Sequence, residues 1–121
     1  MNKSLEILRA DYAYECVSKV AENNKKYLSL VRSFPIIIHN NGYMAAIAYL
    51  FSKKEKEKEF KLLYGHIIDW LKKRELNIEK GEEFISDLTK KSNEEYRLIS
   101  KETTAFLIWL KRFAEGMITN G

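Results

Sequence analysis

Apolar residues recur along this chain at three- and four-residue intervals almost from end to end, and no stretch alternates at the two-residue period of a half-buried strand. That single period restricts the chain to helices packed on helices. Ser4 is placed to cap a first helix with Leu5, Leu8, Tyr12, Cys16 and Val20 on its apolar stripe, Asp11, Glu15, Ser18 and Glu22 on its wet side, and Asn23-Asn24 at its end. A second helix from Lys25 sets Tyr27, Val31, Phe34 and Ile38 in line, and Pro35 within it predicts a kink because proline removes a donor and crowds the preceding turn. A strand over 36–38 is the alternative, but nothing else in the chain offers it a partner strand.

Asn40, Asn41 and Gly42 predict a stop, with Gly42 in the left-handed conformation common just past a helix end. Tyr43 to Phe51 is apolar at every position, which predicts a central helix surrounded on nearly all sides by protein, its own or a partner's. The stretch 53–59 alternates basic and acidic residues and reads as a solvated connector. A fourth helix over 59–74 aligns Phe60, Leu63, Tyr64, Ile67 and Leu71 and ends in a basic turn that suits its dipole. After a polar stretch at 77–81, a short fifth helix from about Glu82 is expected to bury Phe84, Ile85 and Leu88. Ser92 and Asn93 then cap a long sixth helix whose stripe runs through Tyr96, Ile99, Thr103, Phe106, Leu107, Leu110, Phe113, Ala114 and Met117. The expectation is an all-α, compact bundle of about six helices, with residues 1–121 forming one domain.

Size agrees with that expectation. A chain of 121 residues, 45% of them apolar, buries roughly two-thirds of its unfolded surface and needs neither disulfides nor a structural metal. The single cysteine, Cys16, fits a reducing, cytoplasmic setting. Lys3, Glu6 and Arg9 interrupt the leucines at the start, and no apolar run approaches the ~20 residues needed to span a bilayer, so neither secretion nor membrane insertion is expected.

Catalysis needs convergent groups, and few are offered. His39 ends the second helix, and His66 and Asp69 stand three residues apart on the fourth, where a surface hydrogen bond between them is the expectation and two further metal ligands are wanting. Cys16 falls on an apolar stripe, where cysteine behaves as a small hydrophobe. Glu82-Glu83 and Glu94-Glu95 occupy first helical turns, where dipole and capping account for them. No glycine loop for phosphate or helical zinc motif occurs. No catalytic residue, cofactor or metal is expected.

Basic residues are more suggestive. Lysine and arginine outnumber aspartate and glutamate by 21 to 17, a net +4 that permits contact with a polyanion without forming a dedicated basic arm. Lys19, Lys25, Lys26 and Arg32 gather around the first reversal, Lys53 and Lys54 follow the third helix, and Lys111 and Arg112 sit in the sixth. These eight are the candidate RNA-binding set, since groups at helix ends can line a phosphate track. Lysines also solvate the outer faces of most bundles, and composition by itself does not separate the two roles. The unusually apolar third helix, with Ile108 and Trp109 beyond the sixth helix's stripe, suggests a protein partner as well.

Three stretches together carry a likeness. They are Arg9, Tyr12, Ala13 and Val17; Phe34-Pro35 followed by Ile38, Asn41-Gly42, Ala46, Leu50 and Ser52-Lys53; and Leu62-Leu63-Tyr64 with Trp70-Leu71, then Tyr96, Thr103-Thr104 and 109–116. In this order the chain resembles the small-subunit family of the type III-B CRISPR RNA-targeting effector, the Cmr complex. The resemblance implies a non-catalytic helical subunit in antiviral defence, stacking on copies of itself into a minor filament beside other Cmr complex subunits. It also implies contact with guide RNA and target RNA through their backbones. Such contacts need no sequence preference, because base pairing with the guide selects the target.

Overall fold

The structure, a computed structural model, describes residues 3–76, 78 and 83–119. Six helices account for the regular structure, and no strand occurs among the described residues: α1 Leu5–Ser18, α2 Lys25–Asn41, α3 Tyr43–Lys53, α4 Lys58–Lys73, α5 Phe84–Thr89 and α6 Asn93–Met117. The fold is therefore the all-α bundle that the periodicity requires. Residues 77 and 79–82, including the expected start of the fifth helix at Glu82, lie outside the described residues.

Caps set the boundaries. Ser4 Oγ accepts from the Ile7 amide at 3.2 Å. Ser92 and Glu95 form a reciprocal capping box at the start of α6, each side chain accepting from the other's amide at 3.2 Å. One boundary differs from the sequence expectation: α1 ends at Ser18, and Asn24 opens α2 by accepting from the Tyr27 amide at 3.0 Å. An asparagine suits either end of a helix, and here the orphan amides of α2 claim it. Pro35 lies inside α2, which remains helical to Asn41.

Gly42 is the sole residue between α2 and α3, with φ 92° and ψ 159°. The positive φ was expected, but the ψ is extended rather than left-handed helical, a combination open essentially to glycine alone. Its amide donates to Ile38 O at 2.8 Å and its carbonyl accepts from the Ala46 amide at 3.1 Å, so one residue closes both helices.

α6 forms the axis, packing on α1, α2 and α4. Its contacts order the bundle. Arg9 meets Glu102, Tyr14 meets Phe113 and the Thr119 amide donates to Glu22 O at 2.7 Å, so α1 runs parallel to α6. Arg32 of α2 meets Glu115, and Tyr43, the residue just past the Gly42 junction that ends α2, meets Thr103, so α2 runs antiparallel. Between the helices, the rings of Tyr12, Trp70 and Phe106 stack in a cluster, with Trp70 and Phe106 5.1 Å apart and 11° from parallel.

Two expected faces differ in detail. On α1 the expected stripe holds at Cys16 and Val20, which are buried, and at Leu5 and Tyr12, which pack against the core, and departs only at Leu8, which is 41% exposed; Ala13 and Val17 join the buried side, and Arg9 reaches α6. This chain alone does not enclose α3: Tyr43, Ala46, Ile47 and Leu50 are buried, but Ala45, Ala48, Tyr49 and Phe51 are exposed. Two of those four are alanines, which bring little area to hide. The two rings lie against neighbours instead, Tyr49 on Phe60 at 5.2 Å and Phe51 on Tyr64 at 6.0 Å.

Candidate nucleic-acid interface

The Thr119 to Glu22 hydrogen bond joins the end of α6 to the turn between α1 and α2. Six of the eight candidate residues belong to this part of the bundle. Lys19 caps the end of α1, Lys25 and Lys26 occupy the first turn of α2, and Arg32 follows two turns on. Across from them, Arg32 Nε lies 3.1 Å from Glu115 Oε2 on α6, one turn after Lys111 and Arg112. Antiparallel packing of α2 on α6 thus gathers charges that are about eighty residues apart in sequence.

Lys25 and Arg32 also line an open groove of about 520 Å³ along α2, with Leu28, Ser29, Ser33 and Ile36. Its lining carries two cations, two hydroxyls and no carboxylate, which is the chemistry of a phosphate track. Ser33 Oγ donates to Leu30 O at 3.2 Å, while Ser29 is exposed. Ile36 is 60% exposed at the far end.

Ion pairs divide the eight. Lys19 pairs with Glu15 at 3.7 Å and Arg32 with Glu115, both between exposed side chains, where such pairs stabilise by at most about 1 kcal/mol and exchange readily for phosphate. Lys25, Lys26, Lys111 and Arg112 make no ion pair with a described residue. Lys111 is half-buried and Arg112 exposed. The structure does not bring Lys53 and Lys54 to the reversal between α1 and α2; they stand at the connector between α3 and α4 with local partners. Lys53 pairs with Glu57 at 3.8 Å and lies 5.3 Å from the centre of the Tyr49 ring, while Lys54 pairs with Glu55 at 2.8 Å and sits 5.0 Å over Phe51.

Two of the groups weighed for catalysis, His66 and Cys16, serve packing. The His66 partner is Tyr27 and not Asp69: the Tyr27 hydroxyl and His66 Nδ1 share a hydrogen bond of 2.8 Å between α4 and α2. Burial lowers the imidazole to about 4, so it is uncharged at neutral pH. Burial likewise pushes the Cys16 thiol up to about 11, away from the thiolate that nucleophilic chemistry needs. His39 is exposed in the last turn of α2. No group of three or more metal-ligating side chains gathers among the described residues.

The most elaborate polar cluster was not anticipated. Glu102, only 3% exposed, accepts from Arg9 at 2.7 and 3.0 Å and from Trp70 Nε1 at 2.9 Å, and Arg74 Nε stands 3.4 Å away without hydrogen-bond geometry. Burial pushes this carboxyl up, but the bonds from Arg9 and Trp70 and the two guanidinium charges outweigh it, leaving it below the ordinary carboxylate range. One carboxylate therefore ties α1, α4 and α6 together. The signal was present, since Glu102 lies three residues after Ile99 and four before Phe106, on the apolar stripe itself.

The family model described as CRISPR-associated protein (Cas_Cmr5) matches residues 5–117. Among solved structures, the chain is similar to the X-ray crystal structure of a CRISPR-associated Cmr5 family protein from Thermus thermophilus. The two share 21% sequence identity, the match covers 98% of this chain and 100% of that one, and the TM-score is 0.82. At that identity the likeness is one of fold.

Proposed function

The chain belongs to the Cmr5 family of CRISPR-associated proteins, and we propose that it is a non-catalytic small subunit of a type III-B effector, the Cmr complex. In this reading it stacks on copies of itself beside the other Cmr complex subunits and touches guide RNA or target RNA through backbone phosphates, in the cytoplasm, as part of antiviral defence. No described helix is long and apolar enough to cross a membrane. One observation supports the RNA contact: the groove on α2 lined by Lys25, Ser29, Arg32 and Ser33 has no carboxylate in its lining, and its Arg32 is held by Glu115 only in an exposed pair that can exchange for phosphate.

A +4 chain binds a polyanion weakly by itself, but copies repeated along one strand add their contacts by effective concentration. The second reading is a helical adaptor that binds only protein. It is favoured by the exposed apolar residues Ile7, Leu8, Tyr14 and Ile108. Reconstitution of a guide-loaded complex with and without the chain tests the assignment. Incorporation of several copies together with tighter retention of target RNA is expected. A complex that excludes the chain would overturn the subunit reading, and incorporation without any gain in RNA retention would leave the adaptor.

A further inference from the structure

A second groove, outside the set just described, runs along α4. It holds about 330 Å³ and is lined on that helix by Lys61, Tyr64, Gly65, Ile68, Asp69 and Lys72, with Lys54 and Glu55 of the preceding connector at its rim. Spacings of three and four residues place the α4 members on one helix face. Three lysines against two carboxylates leave one unit of positive charge, while Tyr64, Gly65 and Ile68 make the floor apolar.

Gly65 is the informative residue. It lies in the middle of α4, where glycine is the least favoured residue after proline. A Cβ built at Gly65, or at Gly116 in α6, would meet nothing within 4 Å, so no neighbour among the described residues requires its absence, and of the two Gly65 is the one that lines this groove. The cost is met without an internal return, and the open backbone faces a charged groove. Glycine in such a place allows close approach of something from outside.

We infer that this α4 groove is a contact site for one nucleotide unit of single-stranded RNA, with Lys61 and Lys72 on its flanking phosphates and the sugar and base laid over Gly65 and Ile68. The inference rests on the RNA-contact reading above and adds a second surface to it. Size and chemistry favour this occupant over a protein helix. The groove has the volume of roughly one nucleotide, a cationic rim suits phosphate, and Glu55 and Asp69 supply acceptors for ribose hydroxyls. Lys54 is committed to Glu55 and to the Phe51 ring, so it shapes the rim and leaves phosphate contact to the other two.

The test uses the guide-loaded complex reconstituted with Gly65→Ala, with Lys61→Ala/Lys72→Ala, and with Lys25→Ala/Arg32→Ala, and follows target-RNA affinity across a salt series. Gly65→Ala should raise the Tm of the chain yet weaken RNA binding about threefold or more, an opposition of signs that loss of structure does not produce. Lys61→Ala/Lys72→Ala should lower affinity and flatten the slope of log K against log salt by about 1.4. Unchanged affinity and slope in both α4 variants, with an effect in the α2 variant, overturns the groove assignment and leaves RNA contact standing. No effect in any of the three overturns both. Loss of incorporation into the complex, with RNA affinity per incorporated copy unaltered, overturns it in favour of a protein occupant.

Discussion

Three residues hold conformations or charges that their neighbours alone do not suggest. Gly42 has a φ of 92° with an extended ψ, so Gly42→Ala should destabilise the fold by about 1–3 kcal/mol, measured by urea denaturation; an unchanged midpoint would contradict the one-residue junction. Asn41-Gly42 announced the turn, but only the structure shows that a single residue serves both helices. Glu102 stands on the apolar stripe between Ile99 and Phe106, which marks it as inward-facing, but its partners lie on two other helices and no sequence spacing names them. Removing it leaves Arg9 and Arg74 facing each other, and since both are partly exposed, Glu102→Ala should cost about 3 kcal/mol, at the low end for a broken buried pair. His66 gives a pH dependence with a definite sign. Its folded value of about 4 lies below the unfolded 6.5, so between these the unfolded chain binds a proton that the folded one refuses, and stability falls as pH falls through that window. From pH 7 to 5 the loss should approach about 2 kcal/mol, and His66→Gln should largely abolish it in a pH series of thermal melts. Glu102 adds its own loss in the same direction only at lower pH, as the carboxylate takes up its proton.

At the scale of elements, period decides type and caps decide ends. The apolar stripes of α4 and α6 are legible in the sequence because each stands opposite a charged face, which permits a single orientation in the bundle. α3 is covered on one side only by this chain, because alanine counts as apolar in a pattern yet hides little area, so a run without polar residues need not be enclosed within its own bundle. On α1 the expected stripe departs only at Leu8, and a charged contact, Arg9 to Glu102, adds to what fixes the side that meets α6. The reciprocal cap of Ser92 and Glu95 is the clearest element-level test: Ser92→Ala should destabilise by about 1 kcal/mol and fray the first turn of α6, seen as faster amide exchange at 94–96. Equal exchange in the two proteins would mean that the first turn is held by packing alone.

For the whole molecule, antiparallel α2 and α6 and parallel α1 and α6 bring their reversals and ends together, and that topology gathers Lys19, Lys25, Lys26, Arg32, Lys111 and Arg112. Sequence clustering found the first four as neighbours and the last two as a separate pair; only the helix directions join them. Lys53 and Lys54 looked equivalent by spacing, and local carboxylates and rings set them apart. The groove on α4 was hidden for another reason, since Lys61 and Lys72 are ordinary helix lysines until Gly65 is seen to have nothing above it. The central claim is that this basic end meets RNA phosphates. Its most direct test is the salt dependence of target-RNA binding by the guide-loaded complex carrying Lys25→Ala, Lys26→Ala, Lys111→Ala and Arg112→Ala together. With four contacts at about 0.7 each, the slope of log K against log salt should flatten by about 3, equally for unrelated target sequences read by their matching guides. An affinity and slope equal to wild type in a complex holding its full complement of the variant would contradict the claim.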